Sequence, residues 1–397
     1  MRRVALVAVA ALVLAAPASA APLAQRLARA IAVPHVAPGA TGAIVVDLTT
    51  GRALFDQNPD LPLVPASNEK LAVSYAALKE LGPSYRFRTD VIGSGHQEGA
   101  VWRGNLVLKG YGDPTLTSTG LGKLAAELKA EGIREVSGRV LGDESWFDGV
   151  RTAPGWKASF YIQESAPLSA LMVDRDWYEH HVATQPALAA AGRFKQVLRA
   201  HGIVVDGPVG TGVAAHTGLS LAEVVSEPLV DVLRFMDRQS DNLTAELMLK
   251  TLGAEAGAGG TTAAGAAVVR RALAEAEIPL TGVRIVDGSG LSASDRLTAR
   301  ALGALLVDVW HDTALRRALW AALPVAGRNG TLEDRLRKGP AHGVVRAKTG
   351  TTDEASALSG YVGDRFAFAV LQNGRPVSWT WARKAQDRFV TVLAAAA

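Results

Sequence analysis

The sequence predicts a mixed α/β (α+β) protein: an antiparallel sheet flanked by helices, an all-helical part, and a smaller inserted domain. Three observations carry this. Strand-like runs sit at both ends of the chain, two near the start and three near the finish, so one sheet is expected to be closed by the two ends. The stretch from Ala222 to Arg337 reads as mostly helical. With 397 residues, the chain is also longer than one hydrophobic core usually organises.

The elements follow in order. Met1-Arg2-Arg3, the apolar run Val4 to Ala16 and Pro17-Ala18-Ser19-Ala20 read as a secretory signal peptide cut after Ala20. The run is too short to span a membrane, so the mature protein is expected in the periplasm or cell-wall space with no transmembrane segment. Gln25 to Ile31 reads as a helix. Gly42 to Leu48, the Thr49-Thr50-Gly51 turn and Arg52 to Phe55 read as a hairpin. A Pro-containing loop leads to Ser67 to Leu78, an Ala- and Leu-rich segment stopped by Gly82-Pro83 and expected to be a buried helix. From 86 to 216, short strands (Thr89 to Gly93, Asn105 to Lys109, Val136 to Leu141) alternate with loops and with helices at Leu121 to Glu131 and Pro186 to His201. This piece is the expected inserted domain, placed within a catalytic domain made of 21–85 and 217–397. Gly253 to Ala267 reads as a loose loop entering a helix. Gly343 to Gly350, Ser356 to Val362 and Phe366 to Gln372 read as strands before a last helix, Trp379 to Ala396.

Composition narrows the function. Hydrophobic residues make up 48% and charged residues 20%, which excludes a disordered chain. Forty-two bases against 38 acids give a net charge of +4, too little to point to nucleic acid. Without cysteine there is no disulfide framework, thiolate zinc site, iron–sulfur cluster or lipoprotein anchor. The eight histidines show no metal-ligand spacing, so no metal or cofactor is expected. There is no Gly-x-Ser-x-Gly elbow and no Walker motif. Asp287-Gly288-Ser289-Gly290 reads as a structural turn, because no helix opens directly after it.

Three short patterns occur once each and in order: Ser67-Asn68-Glu69-Lys70, Ser240-Asp241-Asn242 and Lys348-Thr349-Gly350. If a helix begins at Ser67, Ser67 and Lys70 share one face within side-chain reach. The helix N-terminus also favours developing negative charge at Ser67. A serine hydroxyl is a weak nucleophile until a base takes its proton. Lys70 can act as that base if desolvation and a second cation, Lys348, neutralise its ammonium. The alternative is a serine that caps the helix, with an exposed lysine one turn on. Ser240 and Asn242 lie on a polar turn between two helical runs, placed to relay a proton and to hold a substrate amide. Lys348, Thr349, Gly350 and Thr351 end a strand, where Gly350 lets substrate backbone pass close. The lysine and threonines there suit a carboxylate, and the Thr351 N–H can complete an oxyanion hole with that of Ser67.

Ser-x-x-Lys, Ser-Asp-Asn and Lys-Thr-Gly together form the motif set of β-lactamases and penicillin-binding proteins. Over nearly the whole mature length the chain resembles the low-molecular-mass class C penicillin-binding proteins, the serine D-alanyl-D-alanine carboxypeptidase/endopeptidases of peptidase family S13. Further patterns carry the likeness: Gly112-Asp113-Pro114-Thr115-Leu116, Gly142 to Phe147, Pro154-Gly155-Trp156, Asp287 to Ser292 and Leu323 to Gly327. The resemblance implies a penicillin-binding/transpeptidase-like fold and hydrolysis of peptidoglycan stem peptides or cross-bridges through an acyl-enzyme on Ser67, with β-lactams as covalent inhibitors. It also implies that Asp143, Trp146 and Phe147 line the pocket for the peptide side chain. Two departures stand out. After Val173-Asp174-Arg175 the chain passes quickly to the helix near Pro186, so the family's third domain is missing or reduced. Ala293 follows Ser292 where many relatives carry an arginine that binds the free end of the peptide side chain. The competing readings are a β-lactamase or esterase on the same fold, and a non-catalytic peptidoglycan-binding homologue. The Glu-x-x-Leu-Asn pattern of a deacylating acid is absent, and all three motifs are intact.

Overall fold

The computed structural model describes residues 21–178 and 181–397; the leader read over 1–20 lies outside them. The chain begins with α1 (Leu23–Ile31), β1 (Thr41–Asp47), β2 (Ala53–Gln57) and α2 (Glu69–Glu80). It then builds a second layer from β3 (Arg88–Glu98), β4 (Val101–Gly110), α3 (Ser118–Ala130), β5 (Glu135–Val136), β6 (Val140–Asp143) and the single turn α4 (Phe160–Gln163). The hairpin β7 (Trp177–Tyr178) and β8 (His181–Val182), α5 (Pro186–Ala200), β9 (Val204–Val205), β10 (Val209–Thr211) and β11 (Leu219–Val225) complete it. Five helices follow: α6 (Leu229–Gln239), α7 (Asn242–Glu255), α8 (Thr262–Glu275), α9 (Ala299–His311) and α10 (Thr313–Ala322). The chain closes with β12 (Val345–Thr351), β13 (Ala355–Val362), β14 (Phe366–Asn373) and α11 (Trp379–Ala394).

Both ends of the chain build one sheet, as expected. Its order is β12-β13-β14-β1-β2, antiparallel throughout, with Val45 opposite Phe368 and Lys348 opposite Ser359. Every residue of β1 is buried, because helices cover both faces. Ala43 and Val45 face α1 and α11 through Leu27 and Phe389; Ile44 and Val46 face the helical layer through Leu302 and Leu306. The β12 strand lies at the sheet edge, which leaves one side of it open to a cleft.

The second sheet draws its strands from residues 88–225, in the order β10-β6-β4-β3-β11, with β5 on β4 and β9 on β5. The β3–β4 and β3–β11 pairs are antiparallel, and the rest are parallel. Helices α3 and α5 bury Leu121, Leu124 and Phe194 against Leu106 and Leu108.

Two local expectations change. The Leu219–Val225 segment, read as helical from Ala222 on, is an edge strand on β3, where Val224 and Val225 favour extended backbone. The supposed loose loop Gly253 to Ala267 shrinks to the link between α7 and α8, since the small residues Gly253 and Gly265 let those helices cross closely. Between Val173 and α5 the described residues form a 3-10 turn, Asp174–Asp176, and the paired strands β7 and β8. No helix among the described residues is long and apolar enough to cross a membrane.

Candidate active site

Ser67 stands in a 3-10 turn, Ala66–Asn68, that runs directly into α2. It does not cap the helix: the capping residue is Asn68, and it makes no side-chain cap bond. The Ser67 hydroxyl instead faces Lys70, whose Nζ lies 2.9 Å from Ser67 Oγ. Residues Glu69 to Leu78 are all buried, so α2 is a central helix and Lys70 is carried into the interior with it. The Lys70 amine makes two further contacts, with Asn242 Oδ1 at 2.9 Å and the Ser289 carbonyl at 2.6 Å. Three acceptors match the three N–H bonds of an ammonium. When Lys70 loses a proton, its lone pair is free for the Ser67 hydroxyl.

The other motifs converge on the same point. Ser240 ends α6 in a left-handed conformation (φ 57°), and Asp241 caps α7 by accepting from Thr244 N, which sets Asn242 at the first turn of α7. Arg175 clamps this loop from outside by donating to Asp241 Oδ2 at 2.6 Å. The Lys348 amine donates to Ser240 Oγ at 2.8 Å and to the Thr349 carbonyl at 2.9 Å. Asn68 ties the nucleophile turn to the strand by donating to the Lys348 carbonyl at 3.1 Å.

Two glycines make the close approach feasible. A Cβ on Gly350 would sit 2.8 Å from the Pro65 carbonyl and 3.1 Å from Ser67 N. The space that sequence reasoning gave to substrate backbone at Gly350 is therefore used by the Ser67 turn. Gly290 has φ +78°, and a Cβ there would lie 1.9 Å from the Ala66 carbonyl. Ala66 itself holds φ 47°, backbone strain placed directly before the nucleophile.

Thr349 and Thr351 alternate onto the half-exposed face of β12 and, with Ser67 and Ser240, line a cavity of about 370 Å³. Thr331, Arg335 and Arg383 line it as well, and Thr349 Oγ1 donates to Thr331 Oγ1 at 2.7 Å.

Burial controls the titration of this site. It lowers the Lys70 amine to about 8, even though Asp287, Asp241, Glu246 and Asp237 pull the other way. The Lys348 amine is pushed well below the ordinary lysine range by burial and then by the Lys70 charge. The expected repulsion between the lysines thus acts on Lys348, whereas Lys70 is set by burial. Asp237, which accepts from Ser74 Oγ at 2.8 Å, is raised to about 6 by burial against the pull of Lys348. Under Lys70 lie Glu69, raised well above the carboxylate range by burial and by Asp287, and Glu246, raised to about 8 for the same reasons.

The comparisons fit this geometry. The model of the D-Ala-D-Ala carboxypeptidase 3 (S13) family matches residues 23–190 and 180–396. The chain belongs to this family. The D-alanyl-D-alanine carboxypeptidase of an Actinomadura species is 30% identical over 86% of this chain and 79% of that protein. Carboxypeptidase DacB of Mycolicibacterium smegmatis is 32% identical over 88% of this chain and 80% of that protein. In fold, the chain is similar to penicillin binding protein 4 from Haemophilus influenzae, with a TM-score of 0.81 and 22% identity, covering 94% of this chain and 98% of that one.

Of the residues singled out in this S13 sequence, Ser67, Lys70, Ser240, Asn242, Lys348, Thr349, Gly350 and Thr351 come together in one cleft. Asp143, Trp146 and Phe147 do not border the cavity at Ser67. The Asp143 carboxylate is buried and accepts from Ser145 N and Ala214 N, with Lys109 at 3.6 Å. Phe147 is buried against Leu243 and Leu247, and Trp146 packs edge-on to Tyr111. Several contributors escaped the sequence reading. Asn242 Nδ2 donates to the Glu164 carbonyl at 3.1 Å, and Trp156 Nε1 donates to Asp287 Oδ2 at 2.9 Å, so the 156–164 loop is tied to both motif loops. The Asp287 to Gly290 turn supplies the carbonyl that holds Lys70. One signal was available: Ser74 follows Lys70 by four residues within the otherwise apolar run Leu71 to Leu78, which marks a polar spot on the Lys70 face.

Proposed function

We propose that the chain is a serine D-Ala-D-Ala carboxypeptidase/endopeptidase, that it hydrolyses peptidoglycan stem peptides or cross-bridges, and that β-lactams acylate it at Ser67. The observation that carries this reading is the pair of hydroxyl–amine contacts across one cleft, Ser67 Oγ with Lys70 Nζ and Ser240 Oγ with Lys348 Nζ. Neutral Lys70 takes the Ser67 proton, and Oγ attacks the carbonyl between the two terminal D-alanines. The N–H groups of Ser67 and Thr351 hold the developing oxyanion. As the C–N bond breaks, Ser240 with Lys348 returns a proton to the leaving amine. Water then releases the acyl-enzyme. Thr349 and Thr351 hold the terminal carboxylate, and the Asn242 amide holds the peptide. Gly350 keeps the strand against the nucleophile turn. Cross-bridge cleavage uses the same groups with a different leaving amine.

The DacB relatives and the leader read over residues 1–20 support action outside the cytoplasmic membrane. The Haemophilus influenzae protein was also solved in complex with a β-lactam, and a Bdellovibrio bacteriovorus endopeptidase of similar fold was solved acylated by penicillin G, which supports covalent capture here. Incubation of purified protein with a defined stem pentapeptide tests the reading by mass spectrometry. Loss of one D-alanine from the peptide is expected with wild type and not with Ser67→Ala. An unchanged peptide with wild type contradicts it.

A further inference from the structure

The reading above leaves the charge of the substrate's free carboxylate unbalanced. That carboxylate departs with the terminal D-alanine, so it must lie on the Thr349 and Thr351 side of Ser67. Beside the threonines, the Lys348 amine already donates to Ser240 Oγ and the Thr349 carbonyl, which leaves it at most one N–H for a carboxylate. Two guanidinium groups line the same cavity. Arg335 is already engaged: it donates to Asp387 Oδ1 at 2.7 Å and to Gln386 Oε1 at 3.1 Å. Arg383 is different. It projects from the second turn of α11, is exposed, and enters no ion pair among the described residues. The one acid on this wall, Asp334, is turned to solvent (91% exposed) and lies 3.7 Å from Arg337.

Arg383 also borders a second cavity, a groove of about 800 Å³ between α1 and α11, whose lining carries Arg26, Arg29, Lys384 and Arg388 with one acid, Asp387, which is paired with Arg335. The positive field of that groove therefore meets the catalytic cleft at Arg383, an arrangement that draws an anionic group toward the threonines.

We propose that Arg383 is a specificity-determining residue that binds the free carboxylate of the leaving residue, so that the cleft selects bonds whose amine-side residue carries one. This rests on the carboxypeptidase reading. A planar guanidinium suits a carboxylate through two parallel N–H bonds, a geometry that a lysine cannot reproduce. The contact acts only while the leaving residue is present. Acylation feels it and hydrolysis of the acyl-enzyme does not.

The test compares an N-acylated D-Ala-D-Ala peptide with its C-terminal amide, using wild type, Arg383→Gln and Arg383→Lys. For the acid, Arg383→Gln is expected to lower kcat/KM by about 10- to 100-fold, the range for losing a charge-assisted hydrogen bond. Arg383→Lys should recover part of that loss, and kcat/KM for the amide should stay within about twofold in every variant. Equal losses on acid and amide, or no loss on either, overturn the proposal. Thermal unfolding of each variant separates a folding defect from lost recognition, and an acid-only loss at unchanged Tm supports the assignment. If wild type itself releases no D-alanine from the acid peptide, the carboxypeptidase reading fails and the role of Arg383 fails with it. Activity without acid/amide discrimination sinks only the role of Arg383.

Discussion

A base with its pKa near 8 leaves a definite mark on the rate of acylation. Lys70 removes the Ser67 proton only as the neutral amine, and burial places its titration at about 8. With that value, about a tenth of the enzyme is competent at pH 7 and about nine-tenths at pH 9, so the acylation rate should rise about tenfold across that interval. The direction follows from the charge: a lysine lowered by burial gains its active form as pH rises. Single-turnover acylation by a fluorescent penicillin, followed by gel or stopped flow, measures the rate directly and excludes the later hydrolytic step. Lys70→Ala should lower the rate by about 10²–10⁴-fold and flatten the profile. A flat profile in wild type would refute the reasoning. So would a rise centred at the ordinary lysine value, or a Lys70→Ala enzyme that acylates at the wild-type rate.

Other consequences can be measured alongside. Asn68→Ala removes the buried bond to the Lys348 carbonyl and should cost about 1–3 kcal/mol, visible as a lower Tm together with slower acylation. Gly290→Ala forces a Cβ against the Ala66 carbonyl at positive φ; a loss of about 2–4 kcal/mol and of penicillin labelling is expected in thermal unfolding and gel assays. Arg175→Ala releases the Asp241 loop and should lower kcat about tenfold with KM little changed, since Ser240 and Asn242 are then held less firmly. Glu246 is raised from 4.5 to about 8 in the folded protein, so its contribution to stability is complete below its unfolded value and is lost as pH rises through about 8. The difference in Tm between pH 5 and pH 8.5 should therefore be smaller in Glu246→Gln than in wild type.

How far the sequence reaches is clear from particular elements. The sheet built from both chain ends was legible, because β1 and β14 are short, largely apolar runs and β12 and β13 are bounded by turn residues, so each carries its signal locally. The Ser67 and Lys70 pairing was legible for the same reason, since three-residue spacing on a helix fixes a shared face. The contributions of Asn68, Asp237 and the Ser289 carbonyl were not. They depend on contacts between residues far apart in the chain, and a backbone carbonyl leaves no mark in the sequence. The Asp143 to Phe147 segment was singled out by family resemblance alone, and its packing between the second sheet and α7 depends on partners distant in the chain. The β11 edge strand was obscured because its exposed edge position leaves a weak apolar alternation, although Pro228 marks the start of the helix that follows.

The central claim is that a single hydroxyl, freed by a buried amine, becomes covalently bonded to substrate. Peptide mapping after brief exposure to benzylpenicillin tests it most directly. The account predicts one penicilloyl group, on the peptide that carries Ser67, absent from Ser67→Ala. An adduct on another residue, or one that persists in Ser67→Ala, contradicts it.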